Sequence, residues 1–245
     1  MKDYDRQIGE ILSRRELFAG FGVVGTAIVL GNFSCQVNSA SANIVGFPPC
    51  VVRPEQTEGP YFVDEKINRS DIRSDPSNGS VKAGLPLEIE FRVSRITKDA
   101  CQPLNDAMVD IWHCDAVGVY SDVEDRGFST KGQKFLRGFQ TTSKDGIARF
   151  TTIYPGWYPG RTVHIHFKVR SNSSGKNYEF TSQLYFNDAI TDKVHAANPY
   201  SEKGQRRSKN DRDGIFRDGG DQLLLALTET KNGYKAMFEI GLQIN

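Results

Sequence analysis

The chain has almost no net charge: 31 lysines and arginines face 30 aspartates and glutamates, a formal balance of +1 over 245 residues. So even a balance offers no broad field for nucleic acid or an anionic membrane, and those partners are excluded. No internal repeat or low-complexity tract is present, so a repeat array is excluded. No long amphipathic helix stands out beyond the N-terminus. The one apolar run, residues 19–30, is glycine-rich and well short of the roughly 20 residues that span a bilayer. Histidine is scarce, at four residues, so any two side by side carry weight.

What is present is the composition of a soluble globular protein, 38% hydrophobic and 25% charged. Twenty-three glycines and 11% aromatics favour a β-rich fold with many turns. At the N-terminus, Ser13-Arg14-Arg15-Glu16-Leu17-Phe18 precedes the short apolar run. A twin arginine before an h-region resembles a Tat export signal, the alternative being a membrane anchor. The small-x-small triplet Ala40-Ser41-Ala42 predicts cleavage there, giving a signal peptide at residues 1–42 and a periplasmic or extracellular mature protein. A lipid attachment at Cys35 fits less well, because Asn32-Phe33-Ser34 is a poor approach to one. Cleavage removes Lys2, Arg6, Arg14 and Arg15 together with Asp3, Asp5, Glu10 and Glu16, four of each sign, so the balance stays +1. An oxidising compartment permits a disulfide. Cys50–Cys101 is the expected pair, although spacing cannot fix it, and Cys114 is then a small buried hydrophobe.

The mature chain reads as one all-β domain, a single β-sandwich with long loops. Residues 43–80, rich in Pro, Gly, Asn and Asp, form an N-terminal arm, and residues 81–245 form the sandwich. Leu87, Ile89, Phe91 and Val93 alternate with Glu88, Glu90 and Arg92, which predicts a half-buried strand. Further strands are expected at 109–113, 148–153, 162–169 and 181–186. Asn232-Gly233 between apolar runs predicts a hairpin. Residues 191–220 are polar and read as a loop excursion with at most a short helix.

The sharpest chemical feature is Val163-His164-Ile165-His166-Phe167. In a strand, residues two apart share a face. Val163, Ile165, Phe167 and Val169 therefore face a core, while His164 and His166 stand together on the other side, placed to bind one metal ion. Two surface histidines in accidental alternation are the bland alternative. A cupin-type site would add a carboxylate four or five residues on, where this chain has Arg170 and Ser171. The Pro/Gly-broken aromatic segment upstream, residues 154–161, can bring a tyrosine to the same ion.

The blocks VDIWHCDAVGVYSD, FLRGFQTT, TIYPGWYPGRTVHIHFKV and SQLYF, in this order, resemble the intradiol ring-cleavage dioxygenase family of catechol 1,2- and protocatechuate 3,4-dioxygenases. The resemblance runs from about Thr57 to the C-terminal strands. It implies a non-haem Fe(III) held by Tyr120, Tyr158, His164 and His166 at the mouth of the sandwich. It also implies small aromatic diols and O2 as substrates, and allows a homo-oligomer. Tyr154 competes with Tyr158 for the second tyrosine position, and the Pro-Gly-Trp-Tyr match favours Tyr158. Arg161 falls on the family's active-site arginine and Gln183 on its polar residue beside the diol. Tyr158 is further implied to leave the metal and take a proton as the diol binds. Pro60, Tyr61 and Gly160 are expected to line the substrate pocket. Gly160 stands where the protocatechuate enzymes have a tryptophan, and the link from Tyr158 to His164 is shorter than theirs, so the diol itself is left open.

Phenolate oxygen and imidazole nitrogen suit a hard ferric ion, whose charge drives ligating phenols to ionise. Each residue also has a structural alternative. Arg161 can be a surface cation, Gln183 a satisfied strand amide and Tyr61 a packing aromatic. His113 reads as a satisfied core histidine, His195 as an idle loop residue, and Arg206, Arg207 and Lys209 as a solvated patch. Two rival functions are an exported, non-catalytic β-sandwich binding module with a relict metal site, and a zinc or copper protein using the two histidines alone.

Overall fold

The computed structural model describes residues 50–244 other than Asp99, Arg126 and Ser174. The expected export signal, its cleavage site and the start of the arm lie outside those residues. Among the described residues, no helix is long and apolar enough to cross a membrane.

Period-two alternation builds the strands. They are β1 (Pro86–Ile96), β2 (Cys101–Pro103), β3 (Met108–Trp112), β4 (Glu124–Asp125), β5 (Phe128–Ser129) and β6 (Arg137–Thr141). Then follow β7 (Ile147–Ile153), β8 (His164–Ser173), β9 (Lys176–Tyr185), β10 (Thr228–Glu229) and β11 (Tyr234–Leu242), with one helix, α1 (Asp188–His195), after β9. One sheet runs β10-β11-β1, with β7 and β2 sharing the far edge of β1. The other runs β6-β3-β8-β9. β1 and β11 pair in parallel, Leu87 opposite Tyr234 and Val93 opposite Ile240.

The sheets pack as the expected sandwich. Leu87, Ile89, Phe91 and Val93 of β1 are buried, as are Ile165, Phe167 and Val169 of β8. Phe167 bridges the layers, its ring 5.4 Å from Phe91 and 5.3 Å from Phe238. Each such fully buried phenylalanine contributes about 2–3 kcal/mol through its removal from water. Cys50 and Cys101 form the disulfide, and Cys114 is free and buried.

The elements differ from the sequence reading in several places. β9 starts at Lys176, five residues before the predicted 181. Lys176, Asn177 and Glu179 at its start are exposed while Tyr178 and Phe180 turn toward the core, and pairing to β8 around Gly175 (φ 77°) defines this end. The hairpin at Asn232-Gly233 exists, but β10 has two residues. Arg206 is not solvated. Its side chain is 3% exposed and pairs with Asp188 in the first turn of α1, where acidic side chains are favoured, and with Asp192 one turn further on. His195 lies in the last turn of α1, not in a loop, and is buried against Tyr200 with Nε2 on the Pro155 carbonyl at 3.0 Å.

The arm positions the site. It enters along the β9 edge, where the Gln56 amide donates to Thr181 O (2.9 Å). It leaves along the β6 edge, where Phe139 N donates to Ile67 O (2.9 Å) and Arg69 N to Phe139 O (3.0 Å). Between these edges it crosses the outer face of the four-stranded sheet.

Candidate active site

The four predicted ligands converge on that outer face, under the arm, and not at a mouth between the sheets. The reason is pairing register. Directly opposed residues of antiparallel strands share a face. His166 is flanked by Trp112 on β3 and Gln183 on β9, and His164 by Tyr185. The core residues of β8 point inward, so this polar and aromatic set must point outward.

His164 donates from Nδ1 to the Thr162 carbonyl at 2.6 Å, which leaves Nε2 as a lone-pair donor. His164 Nε2 lies 3.0 Å from Nε2 of His166 and 3.1 Å from the Tyr158 hydroxyl. The Tyr120 ring is 5.7 Å from that of Tyr158 and 6.4 Å from that of His166. Its hydroxyl is buried with no hydrogen-bond partner of ordinary geometry among the described residues. Desolvation holds both imidazoles neutral, their pKa values well below the usual one, with Arg161 adding to the effect at His164 and His164 to that at His166. Burial likewise raises both phenols.

Tyr154 is elsewhere. Its hydroxyl meets Thr191 Oγ1 at 2.7 Å and its ring packs on Phe186. Tyr61 stacks on Tyr120 with centroids 4.4 Å apart and donates to Asp125 at 2.5 Å. Burial and this carboxylate raise its pKa to about 12. Pro60 and Gly160 are exposed, and a Cβ on Gly160 would meet nothing within 4 Å. Gly59 is the close neighbour instead: a Cβ there would lie 3.2 Å from His166 Cε1.

Arg161 reaches the centre with Nη1 3.5 Å from His164 Nε2. It is aimed by two partners: Nε donates to Asp213 at 2.8 Å and Nη2 to Gln183 Oε1 at 2.6 Å. Asp213, 1% exposed, also accepts from the amides of Thr162, Ile215 and Phe216. Gln183, fully buried, donates to the Thr57 carbonyl at 2.9 Å and also accepts from Tyr185. Its amide therefore faces Arg161 through the oxygen and the arm through the nitrogen.

Sequence reasoning missed Asp213, Gly59 and Trp112. Trp112 stacks on His166 at 5.0 Å with planes 8° apart and was legible, since its strand pattern puts it on the histidine face. Asp213 was not, because it arrives from a loop 52 residues beyond Arg161.

His113 is the satisfied core histidine expected. Nδ1 donates to Cys114 O (2.8 Å), and Nε2 meets Thr152 Oγ1 at 2.6 Å. Burial lowers its pKa to about 4. A histidine depressed on folding contributes stability that is complete above the unfolded value of about 6.5 and is lost as pH falls toward the folded value. His113→Gln should therefore reduce the loss of unfolding free energy between pH 7.5 and 4.5 by about 2–3 kcal/mol, measured by urea melts of the metal-free protein. An unchanged pH slope would show that His113 is not excluded from protonation.

The donor set fits a metal. Donor separations near 3 Å are those of neighbouring corners around one ion with bonds of about 2.0–2.2 Å. Phenol oxygens with imidazole nitrogens match a hard, highly charged ion such as Fe(III). The buried Tyr120 hydroxyl without a partner and the free lone pair of His164 Nε2, 3.0 Å from His166 Nε2, are groups that such an ion would satisfy.

Residues 57–207 match the family model described as Dioxygenase. A solved intradiol ring-cleavage dioxygenase from Tetranychus urticae superposes with a TM-score of 0.68 at 30% identity, over 80% of this chain and 95% of that one. The protocatechuate 3,4-dioxygenase beta chain of Burkholderia cepacia is 31% identical over 56% of this chain and 61% of its own length. Catechol 1,2-dioxygenase 1 of Acinetobacter lwoffii is 27% identical over 50% and 43%. The chain thus spans about half the length of these two curated relatives. With the match covering more than half of its residues and the fold shared along nearly the whole of the Tetranychus urticae protein, the chain belongs to the intradiol ring-cleavage dioxygenase family.

Proposed function

We propose that the protein opens a catechol-type diol between its two hydroxyl-bearing carbons with O2, at a non-haem Fe(III) held by Tyr120, Tyr158, His164 and His166. The observation that carries this is the meeting of two phenols and two imidazoles at one buried point beside a guanidinium. Ferric iron supplies a Lewis-acidic centre that binds and activates the diol toward O2.

The protein's own groups do the rest. The Thr162 carbonyl fixes the His164 tautomer. Trp112 holds the His166 ring in plane. Tyr158, at the partly exposed rim, is the ligand free to take a proton from the diol at its phenolic oxygen. Tyr120, fully buried, stays in place. Arg161 stabilises negative charge developing on the substrate. Gln183 and Asp213 position Arg161. Export to an oxidising compartment belongs to the same reading and is supported by the Cys50–Cys101 disulfide.

The purified protein should be red to burgundy from tyrosinate-to-iron charge transfer. Chelation should bleach it and abolish oxygen uptake with catechol, and Fe(III), not Zn(II), should restore both. A colourless, metal-replete protein would eliminate the iron. A coloured protein that consumes no oxygen with any catechol would be the relict binding module.

A further inference from the structure

Strand β8 carries more on its outer face than the two histidines. Continuing the period of two, Lys168 and Arg170 follow His164 and His166 along the same line. Each holds the arm. Lys168, whose side chain is 5% exposed, pairs with Glu58 of the arm and with Glu179 of β9 (2.5 Å). Its ammonium also lies 4.3 Å from the centre of the Phe62 ring. Arg170 pairs with Asp64 of the arm (3.1 Å) and with Asp110 of β3 (2.8 Å). Between these two latches, Gly59 lies beside His166, where a Cβ would come within 3.2 Å of the ring, Phe62 packs on Trp112 at 4.8 Å and Tyr61 stacks on Tyr120. The segment tied down by the cations is therefore the segment lying on three of the four proposed ligands, His166, Tyr120 and Tyr158.

We propose that Lys168 and Arg170 are positioning residues of this site, and that the strap they hold, residues 57–65, selects which diols reach it. The inference rests on the function proposed above. Its logic is geometric: backbone-to-backbone bonds to the sheets fix only the ends of the strap, at Gln56 and Ile67, and between them side chains hold it, Gln183 on the Thr57 carbonyl (2.9 Å), Arg137 on the Tyr61 carbonyl (3.2 Å), and the two cations on Glu58 and Asp64. The placement of Gly59 and Tyr61 between those ends depends on side-chain latches. Tyr61 thereby becomes an adjustable wall of the site, and its distance from Tyr120 limits how far a ring substituent can extend.

The latches can be undone from the arm side without orphaning a buried charge, because Lys168 keeps Glu179 and Arg170 keeps Asp110. The test is the double variant Glu58→Gln/Asp64→Asn in the full-length, iron-loaded protein. Hydrogen exchange at amides 58–65 should accelerate about ten-fold while β3 and β8 stay protected. Dissociation constants for catechol and for an aryl-substituted catechol, measured under nitrogen, should show the preference for the smaller diol falling at least about three-fold. The resting charge-transfer band should not move, since no ligand is touched. Glu58→Lys, which sets like charges together at Lys168, should enlarge both effects.

Unchanged exchange at 58–65 would overturn the latch. Faster exchange with an unaltered preference between the two diols would overturn the selecting role of the strap. Because binding is read without oxygen, a protein that opens no diol would sink the proposed reaction and still leave this test decisive.

Discussion

His166→Ala should bleach the protein, drop its iron content and lower catechol-dependent oxygen uptake to below about one hundredth. The magnitude follows from the neighbours of a ligand: changing a group that merely orients a metal-bound histidine costs about 10–100-fold, so deleting the histidine itself should exceed that. His166 also has the most to lose. It is 1% exposed, faces His164 Nε2 at 3.0 Å and is clamped between Trp112 and Gly59. Alanine leaves a cavity there that neither Trp112 nor a strap residue without a side chain can fill. Iron stoichiometry, the visible band and oxygen uptake are read together. Tyr154→Phe is the matched control, because its hydroxyl is spent on Thr191. A His166→Ala protein that stays coloured and turns over near the wild-type rate would remove this residue from the site.

Arg161→Gln should keep iron and colour and still lose about 10²–10³ in kcat. That is the usual cost of removing one preorganised group that meets charge developing in the transition state. The guanidinium stands 3.5 Å from a proposed ligand atom, but its direction is imposed by Asp213 and Gln183. Asp213→Asn should therefore reproduce part of the loss, about 10–100-fold, with Arg161 present but misaimed. Asp213 also holds three backbone amides, so thermal melts must accompany the kinetics to separate misfolded protein from misaimed protein. The diagnostic pattern is a fall in kcat at constant iron content in both variants. Turnover by Arg161→Gln within a few-fold of wild type would reduce this residue to a structural partner of Asp213 and Gln183.

The sequence made the sandwich readable because strands such as β1 and β8 face two different environments, and alternation records that directly. It failed where no such contrast exists: the exposed start of β9, and β6, whose Gly138 lies under Arg69 and Ile72 of the arm. The histidine pair was legible from the same periodicity. Tyr120 and Tyr158 were legible only through resemblance, since nothing local distinguishes Tyr158 from Tyr154 until Thr191 appears beside the latter. Asp213 and the covering arm were out of reach, because long-range loop docking leaves no periodic trace. The polar residues after His166 illustrate the limit from the other side. Their face was predictable, but that an arm some hundred positions earlier in the chain would cover that face was not.

The parallel pairing of β1 with β11 has a consequence for how this molecule comes into being. The first long strand of the sandwich finds one of its neighbours only far along the chain, with Leu87 waiting for Tyr234 and Val93 for Ile240. Until then one flank of β1 has nothing to bind, and Phe91 and Phe167 lack the ring of Phe238 between them. Closure across so long a stretch of chain is entropically slow. The sandwich is therefore closed only once β11 is present, and a polypeptide lacking that strand would be left with an open, adhesive border.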